Sequence, residues 1–351
     1  MSLALSICGS GMCCAVGFTA EAARPAIRAG LEAFAESDFL DSAGFPVIAA
    51  ILPIEDVWGS RRMALQFESV IEQCLAGTRL DPAGIPILLL TAERGRPGSF
   101  ETWGKACFRA REEATGRPVH PESRVLALGR AGLAAAVVEA RAILAGRRAE
   151  HVLIAGVDSY LNALAINHFL RRDRILSPEA KNGFIPGEGA GAVLVRLAPR
   201  TDPGLFVLGS GVADEEATVD NEVPSRAIGM TRAIRAALSE SGYRLSDLHF
   251  RVADIAGEPF YFTEAGLAVS RAFDQRVGEF RTVHITDAVG ETGAAIGPMS
   301  LAYLAGAMPR GHTPGTRALF HLASDGGARA ALVLELVTSP PNALGPTPPA
   351  P

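Results

Sequence analysis

The side chains able to do chemistry are few in this 351-residue chain, and their spacing excludes several classes. Seven histidines (His120, His151, His168, His249, His284, His312 and His321) form no HxxxH or HExxH arrangement, so no metal site is expected. Five cysteines (Cys8, Cys13, Cys14, Cys74 and Cys107) show no CxxC pairing, which gives neither a disulfide framework nor a zinc site. The adjacent Cys13 and Cys14 sit in an apolar run and read as small buried thiols. There is no GxxxxGK[ST] loop and no GxGxxG turn, so no nucleotide is expected, and no other cofactor.

Charge and hydropathy narrow the setting. A net charge of −5 without a basic block argues against nucleic acid as a partner. Residues 1–20 are apolar but lack a basic leading segment and contain Gly9 and Gly11, so they read as strand and turn rather than signal peptide. No uninterrupted apolar run reaches the roughly 18–20 residues of a membrane helix. A cytoplasmic protein with no membrane partner is the expectation. Its 48% hydrophobic content is ample for a buried core.

Strand-like runs alternate with longer helical stretches, the pattern of βαβ units and a largely parallel sheet. Strands are expected at 3–8, 45–51, 85–91, 151–157 and 191–197, with helices at 19–31 and 61–76 and a polar, partly helical insertion at 99–117. Residues 126–145 read as one helix apolar nearly all round, which should lie buried between layers. The second half repeats the theme. Strands are expected at 205–212, 249–255, 282–285, 319–323 and 328–336, and helices at 225–241, 262–276 and 292–308, the last again wholly apolar. The order of elements suggests an internal duplication, with one half at 1–200 and the other at 201–336. Residues 337–351 form a tail whose stretch 339–351 is rich in Pro and small residues and should be disordered.

One segment is specific enough to suggest a family. Asn182-Gly183-Phe184-Ile185-Pro186-Gly187-Glu188-Gly189-Ala190-Gly191-Ala192-Val193-Leu194-Val195 closely resembles the GF…GEGAG turn and strand of β-ketoacyl-ACP synthases. Val152-Leu153-Ile154-Ala155-Gly156-Val157-Asp158 resembles the strand that leaves that family's nucleophile helix, and Val289-Gly290-Glu291-Thr292-Gly293-Ala294-Ala295-Ile296-Gly297 resembles its GHTGAAAG motif. The opening Ile7-Cys8-Gly9-Ser10-Gly11-Met12, leading to Ala26-Ile27-Arg28-Ala29-Gly30, is similar to its first strand and helix. The four segments stand in the family's order across residues 1–336. The resemblance implies an α/β thiolase-like fold, two pseudo-duplicated βαβαβ halves in an αβαβα layered arrangement. Gly187, Gly189 and Gly191 would permit positive φ and close backbone approach in a tight turn, with Glu188 as a structural hydrogen-bonding carboxylate.

The same resemblance exposes what the chain lacks. Ketosynthases place a Cys nucleophile at the start of a buried helix, where backbone amides stabilise its thiolate. The matching position is Gly129, in Ala127-Leu128-Gly129-Arg130-Ala131-Gly132, and only Ser123, too early in the sequence, offers a hydroxyl nearby. Ala256 stands at the first His, in Asp254-Ile255-Ala256-Gly257-Glu258-Pro259, and Glu291 at the second. The family's Lys falls near Thr286 or Asp287. No catalytic residue of the family's kind is therefore expected.

The replacements admit two readings each. Glu258 and Glu291 would form an acid/base carboxylate pair if both face the old pocket. More simply, Glu258 lies exposed beyond its strand and Glu291 caps the following helix as a first-turn acid. Arg130 either pairs with Glu291 and fills the cavity or binds an anionic acyl or phosphate group; a paired plug is the simpler reading, because buried charges are usually paired. Asp287 completes the candidate pocket set. Family relatives without the Cys act as noncatalytic partners of active subunits, which implies a binding, scaffold or adaptor role. A homodimer or a heterodimer with a ketosynthase-like or effector protein would follow, including an accessory role for a secretion effector. The rivals are an acyltransferase or hydrolase using Glu258, Glu291 or Arg130, and a binder of acyl-CoA or acyl-carrier protein without turnover. The fold's dimer edge is expected in the segment before Arg124.

Overall fold

The alternating runs build two copies of one strand order, seen in a computed structural model that describes residues 4–338. The first copy begins with β1 (Leu5–Cys13), α1 (Ala20–Arg28) and a hairpin of β2 (Phe34–Leu40) and β3 (Pro46–Ala50). It continues through α2 (Gly59–Leu75), β4 (Ile87–Thr91), α3 (Thr102–Thr115), β5 (Arg124–Ala127) and α4 (Gly132–Ala145). Strand β6 (Val152–Ser159), α5 (Ala163–Leu170) and β7 (Glu188–Leu197) complete it. The second copy comprises β8 (Gly204–Asp214), α6 (Ile228–Ser241), β9 (Phe250–Ala253), α7 (Pro259–Ala272), β10 (Thr282–Val283), α8 (Thr286–Val289), α9 (Ile296–Ala307), β11 (Arg317–Ala323) and β12 (Ala328–Val337).

The main sheet has ten strands in the order β10-β9-β11-β12-β8-β1-β7-β6-β4-β5. Setting the hairpin aside, each copy runs first-fifth-fourth-second-third from its own opening strand, and the copies join where β1 pairs antiparallel with β8. This is the duplicated arrangement the resemblance implied.

Burial on both faces of the strands explains the layering. On β7, Val193 and Val195 point into a central core with α4 and α9, while Ala192 and Leu194 point into an outer core with α2 and α3. On β12, Leu332 and Leu334 likewise face the centre, and Ala331 and Val333 face α6 and α7. The period of two thus distributes one strand's side chains between two helical layers. The result is an αβαβα stack with α4 and α9 in the middle.

Several expectations need correction. Residues 126–145 are not one helix: Leu126 and Ala127 pair with Leu90 and Thr91 in a parallel ladder, and the helix starts only at Gly132. A short apolar run does not reveal by periodicity which element it joins. The hairpin at β2 was not foreseen, since Glu36 and Asp38 break its apolar signature. The free edge next to β4 is β5, which begins at Arg124 rather than before it. Gly187, Gly189 and Gly191 are not among the residues of positive φ; their role is close approach alone, for a Cβ on Gly191 would stand 2.3 Å from Met299 N. Strand β12 includes Val337, so the tail starts later than 337; its remainder, 339–351, lies outside the described residues.

Candidate functional site

Two loops carry the candidate site to the start of the central helices. The turn between β5 and α4 holds Gly129 and Arg130, and the loop between β11 and β12 holds Ser324 and Asp325. They are tied together: Ala131 N donates to Ser324 Oγ at 3.0 Å, and Ser324 Oγ donates to Leu128 O at 3.2 Å. Gly129 has φ +63°, a left-handed conformation that a side chain resists. A Cβ placed there would meet the Glu93 carboxylate at 2.4 Å and Ser324 Oγ at 3.1 Å. The position matched to a nucleophile is therefore faced by an acid.

Arg130 is buried at the centre of a charge network. Its Nη1 donates to Glu291 Oε2 at 2.6 Å and its Nη2 to Asp325 Oδ1 at 2.6 Å, with Asp254 Oδ2 3.7 Å from Nε. Its guanidinium also lies 4.8 Å from the centre of the Tyr261 ring, and Tyr261 donates its hydroxyl to Asp325 at 2.5 Å. Asp325 links this group to a second arginine, accepting from Arg174 Nη1 at 2.8 Å. Arg174 grips Glu258 in a two-point fork at 2.7 and 3.0 Å and packs against the Phe169 ring. A third pair stands alongside, Arg96 with Asp158 at 2.8 and 2.5 Å, with Arg96 4.2 Å from the Tyr160 ring centre.

These placements bear directly on the candidate residues. Arg130, Glu291 and Glu258 belong to one network, bridged by Asp325 and Arg174, while Gly129 faces Glu93 and Ser324. Glu291 also accepts Gly293 N–H at 2.8 Å, at the turn that leads into α9. Glu258 is buried, against the expectation that it lies exposed beyond the strand, because Arg174 draws it inward. Ala256 packs against the Phe169 and Phe184 cluster and has no donor to offer. Asp287 faces solvent outside the network, with His284 3.3 Å away as its only ion-pair neighbour among the described residues. Glu188 lies elsewhere, fully occupied by Arg62, Gln66 and Leu52 N–H, and Gly187 and Gly189 flank it. Sequence reasoning missed Glu93, Arg174, Tyr261 and Asp325; the only signal of the three charged ones was charge within or beside apolar runs, and Tyr261 gave none.

The network has more carboxylates than cations: Arg130 and Arg174 face Glu291, Asp325, Asp254 and Glu258, with Asp220 at the rim of Arg174. Protonation should absorb the excess. Burial pushes Asp325 up, but Arg130, Arg174 and the Tyr261 hydroxyl outweigh it and hold this carboxyl well below the usual range. Burial dominates at two of them, raising Asp254 and taking Glu291 up to about 7 against the pull of Arg130. Glu93 is raised for the same reason.

A testable pH dependence results. Between about pH 4.5 and 7 the folded chain keeps a proton on Glu291 that the unfolded chain has lost, so stability falls as pH rises through that window. Glu264, also taken up to about 7 by burial beside Arg329, acts in the same direction. His321, taken down to about 3 by burial, acts oppositely up to about pH 6.5, and Asp325 only below about pH 4. Urea midpoints are expected to fall from pH 6.5 to 7.5, where His321 contributes little, and less steeply in Glu291→Gln. A wild-type midpoint that rises across that interval would contradict the assignment.

No family model and no curated protein matches the sequence. Solved structures do match it along nearly its whole length. A chain of a complex between a type II PKS acyl-carrier protein and its ketosynthase, bound to the hexaketide, gives a TM-score of 0.80 at 15% identity, covering 96% of this chain and 100% of that one. A ketosynthase in complex with its chain length factor from Xenorhabdus doucetiae gives 0.75 at 13% identity, covering 95% and 98%. A β-ketoacyl synthase from Burkholderia phymatum STM815 gives 0.72 at 16% identity, covering 96% and 100%. The fold is thus the thiolase-like fold of ketosynthases and chain length factors. At these identities the likeness speaks for the fold alone. Among the described residues, no helix is long and apolar enough to cross a membrane.

Proposed function

We propose that this chain is a catalytically inactive ketosynthase-like protein that serves as a binding, scaffold or adaptor subunit. The observation that carries this reading is the bridge from Arg130 to Glu291 and Asp325, which fills the space beside Gly129 with paired charge. The rival, new chemistry at Glu258, Glu291 or Arg130, is weakened because each of these groups is held in an ion pair. Other thiols give little rescue: burial pushes Cys13, Cys74 and Cys107 up, and Cys14 up to about 12, so thiolate is scarce at neutral pH. Incubation with acyl-CoA or acyl-carrier protein is expected to give no stable mass increase. Acylation at any Cys, followed by condensation with a malonyl carrier, would overturn the proposal.

The partner in this reading is a second ketosynthase-like chain or an effector protein. Solved neighbours include a ketosynthase in complex with its chain length factor, which is consistent with such pairing. Among the described residues, strand β5 leaves one edge of the sheet unpaired, with Val125 and the following Leu128 exposed. A bare apolar edge invites a second strand. The wild-type chain should therefore scatter light as a dimer at micromolar concentration or co-purify with a partner. Val125→Lys should weaken that association about tenfold or more, since a desolvated lysine opposes burial of the edge. A wild-type monomer without a partner would contradict the dimer.

A further inference from the structure

The far end of α9 carries a different kind of charge. A cavity of about 400 Å³ opens between α1 and α9, lined by Arg24, Arg28, Arg310, His312, Tyr303 and Glu21 among others. Along twelve residues of α9 this lies about 18 Å from the Arg130 network, too far to share a ligand with it. Arg24 is fixed in place: its Nε and Nη2 donate to Ala302 O at 3.0 and 2.8 Å, and Nη2 also donates to Ser10 Oγ at 2.6 Å. Its guanidinium lies against Gly306, where a Cβ would stand 2.5 Å from Nε, so the glycine makes room for it. Arg310 donates to Gly306 O at 2.8 Å on the same side.

Buried Arg62, Arg96 and Arg329 are paired with acids, Glu188, Asp158 and Glu264; Arg24 is half-buried, and Arg28 and Arg310 are exposed. Among the described residues, Arg24, Arg28 and Arg310 have no carboxylate within ion-pair distance. Arg24 and Arg28 are four apart on one helix, a like-charge spacing that is itself unfavourable. Burial, and then the nearby Arg310, lower the pKa of Arg24. Carbonyl oxygens satisfy some donors but leave the charge uncompensated.

We propose that this cleft binds a small phosphorylated molecule, its phosphoryl group held by Arg28 and Arg310 with Arg24 behind them. Three guanidiniums against the one carboxylate of Glu21 leave a charge near +2, matching the roughly −1.5 to −2 of a phosphate monoester. Guanidinium forks suit phosphate oxygens in two-point contact, and the volume suits a metabolite rather than a polymer.

Calorimetric titration with inorganic pyrophosphate tests the chemistry. Saturable binding is expected, weaker at higher salt, and at least about tenfold weaker in the double variant Arg28→Gln/Arg310→Gln. The charge-matched control Arg109→Gln/Arg276→Gln, at exposed positions away from the cleft, should bind like wild type. Gly306→Ala should give a similar loss by displacing Arg24; should that variant misfold, the surface double variant carries the test. No saturable binding, or equal binding by Arg28→Gln/Arg310→Gln, overturns the proposal. Flotation with vesicles containing phosphatidic acid separates the two sources of the anion, and binding to vesicles without binding of pyrophosphate also overturns it.

Discussion

Arg130→Ala is expected to destabilise the protein by about 3–5 kcal/mol at pH 7.5, the usual cost of stripping one partner from a buried ion pair. Glu291 would lose its cation, and Asp325 would keep only Arg174 and Tyr261. The comparison with Arg130→Met/Glu291→Leu is informative. Replacing both members of a buried pair by apolar groups of similar size is often neutral, so the double variant should unfold at higher urea than Arg130→Ala. Lowering the pH should also rescue the single variant in part, as Glu291 takes up its proton. An Arg130→Ala midpoint within about 1 kcal/mol of wild type would mean that the network is not the plug proposed here.

The second large effect concerns repair. Gly129→Cys is expected to restore no condensation, with turnover below a normal ketosynthase by more than roughly 10⁴. A helix-start thiol would ordinarily gain acidity from exposed amides. Here its Cβ would meet the Glu93 carboxylate at 2.4 Å, and the left-handed backbone resists any side chain. An adjacent carboxylate raises a thiol's pKa rather than lowering it. The enolate would then find Ala256 and Glu291 where the family offers two donors, and each lost donor costs roughly 10²–10³ in rate. Gly129→Cys/Ala256→His/Glu291→His is the control for retained geometry. Turnover near that of a normal enzyme from Gly129→Cys alone would show that the matched positions are wrong.

The layers of the fold were legible because they depend on runs of residues. Two stretches that are apolar nearly all round mark the central helices, and the glycines around Glu188 mark a turn where backbone crowds backbone. The small elements were not legible. Strand β5 consists of four residues, and its identity depends on Leu90 lying beside Leu126, a contact between distant segments. The site was half legible for a related reason. Arg130 and Glu291 stand inside recognisable motifs, but Arg174 and Asp325 occupy loops whose neighbours are set by the tertiary fold. Glu258 shows the limit most clearly: its position after a short strand suggested exposure, and only Arg174, 84 residues away, turns it inward.

The joining of β1 to both β7 and β8 has a consequence for synthesis. Strand β1 leaves the ribosome well before its partners, Ala190–Leu197 and Leu205–Val207. At about 5–20 residues per second, some 10–40 s pass before the last residue of β7 is made. During that interval β1 and the β7-facing side of β6 both lack their native neighbour. Unpaired apolar strands are templates for wrong association. The period of greatest exposure therefore falls during translation, and it ends when Leu197 emerges and β7 closes between the two waiting strands.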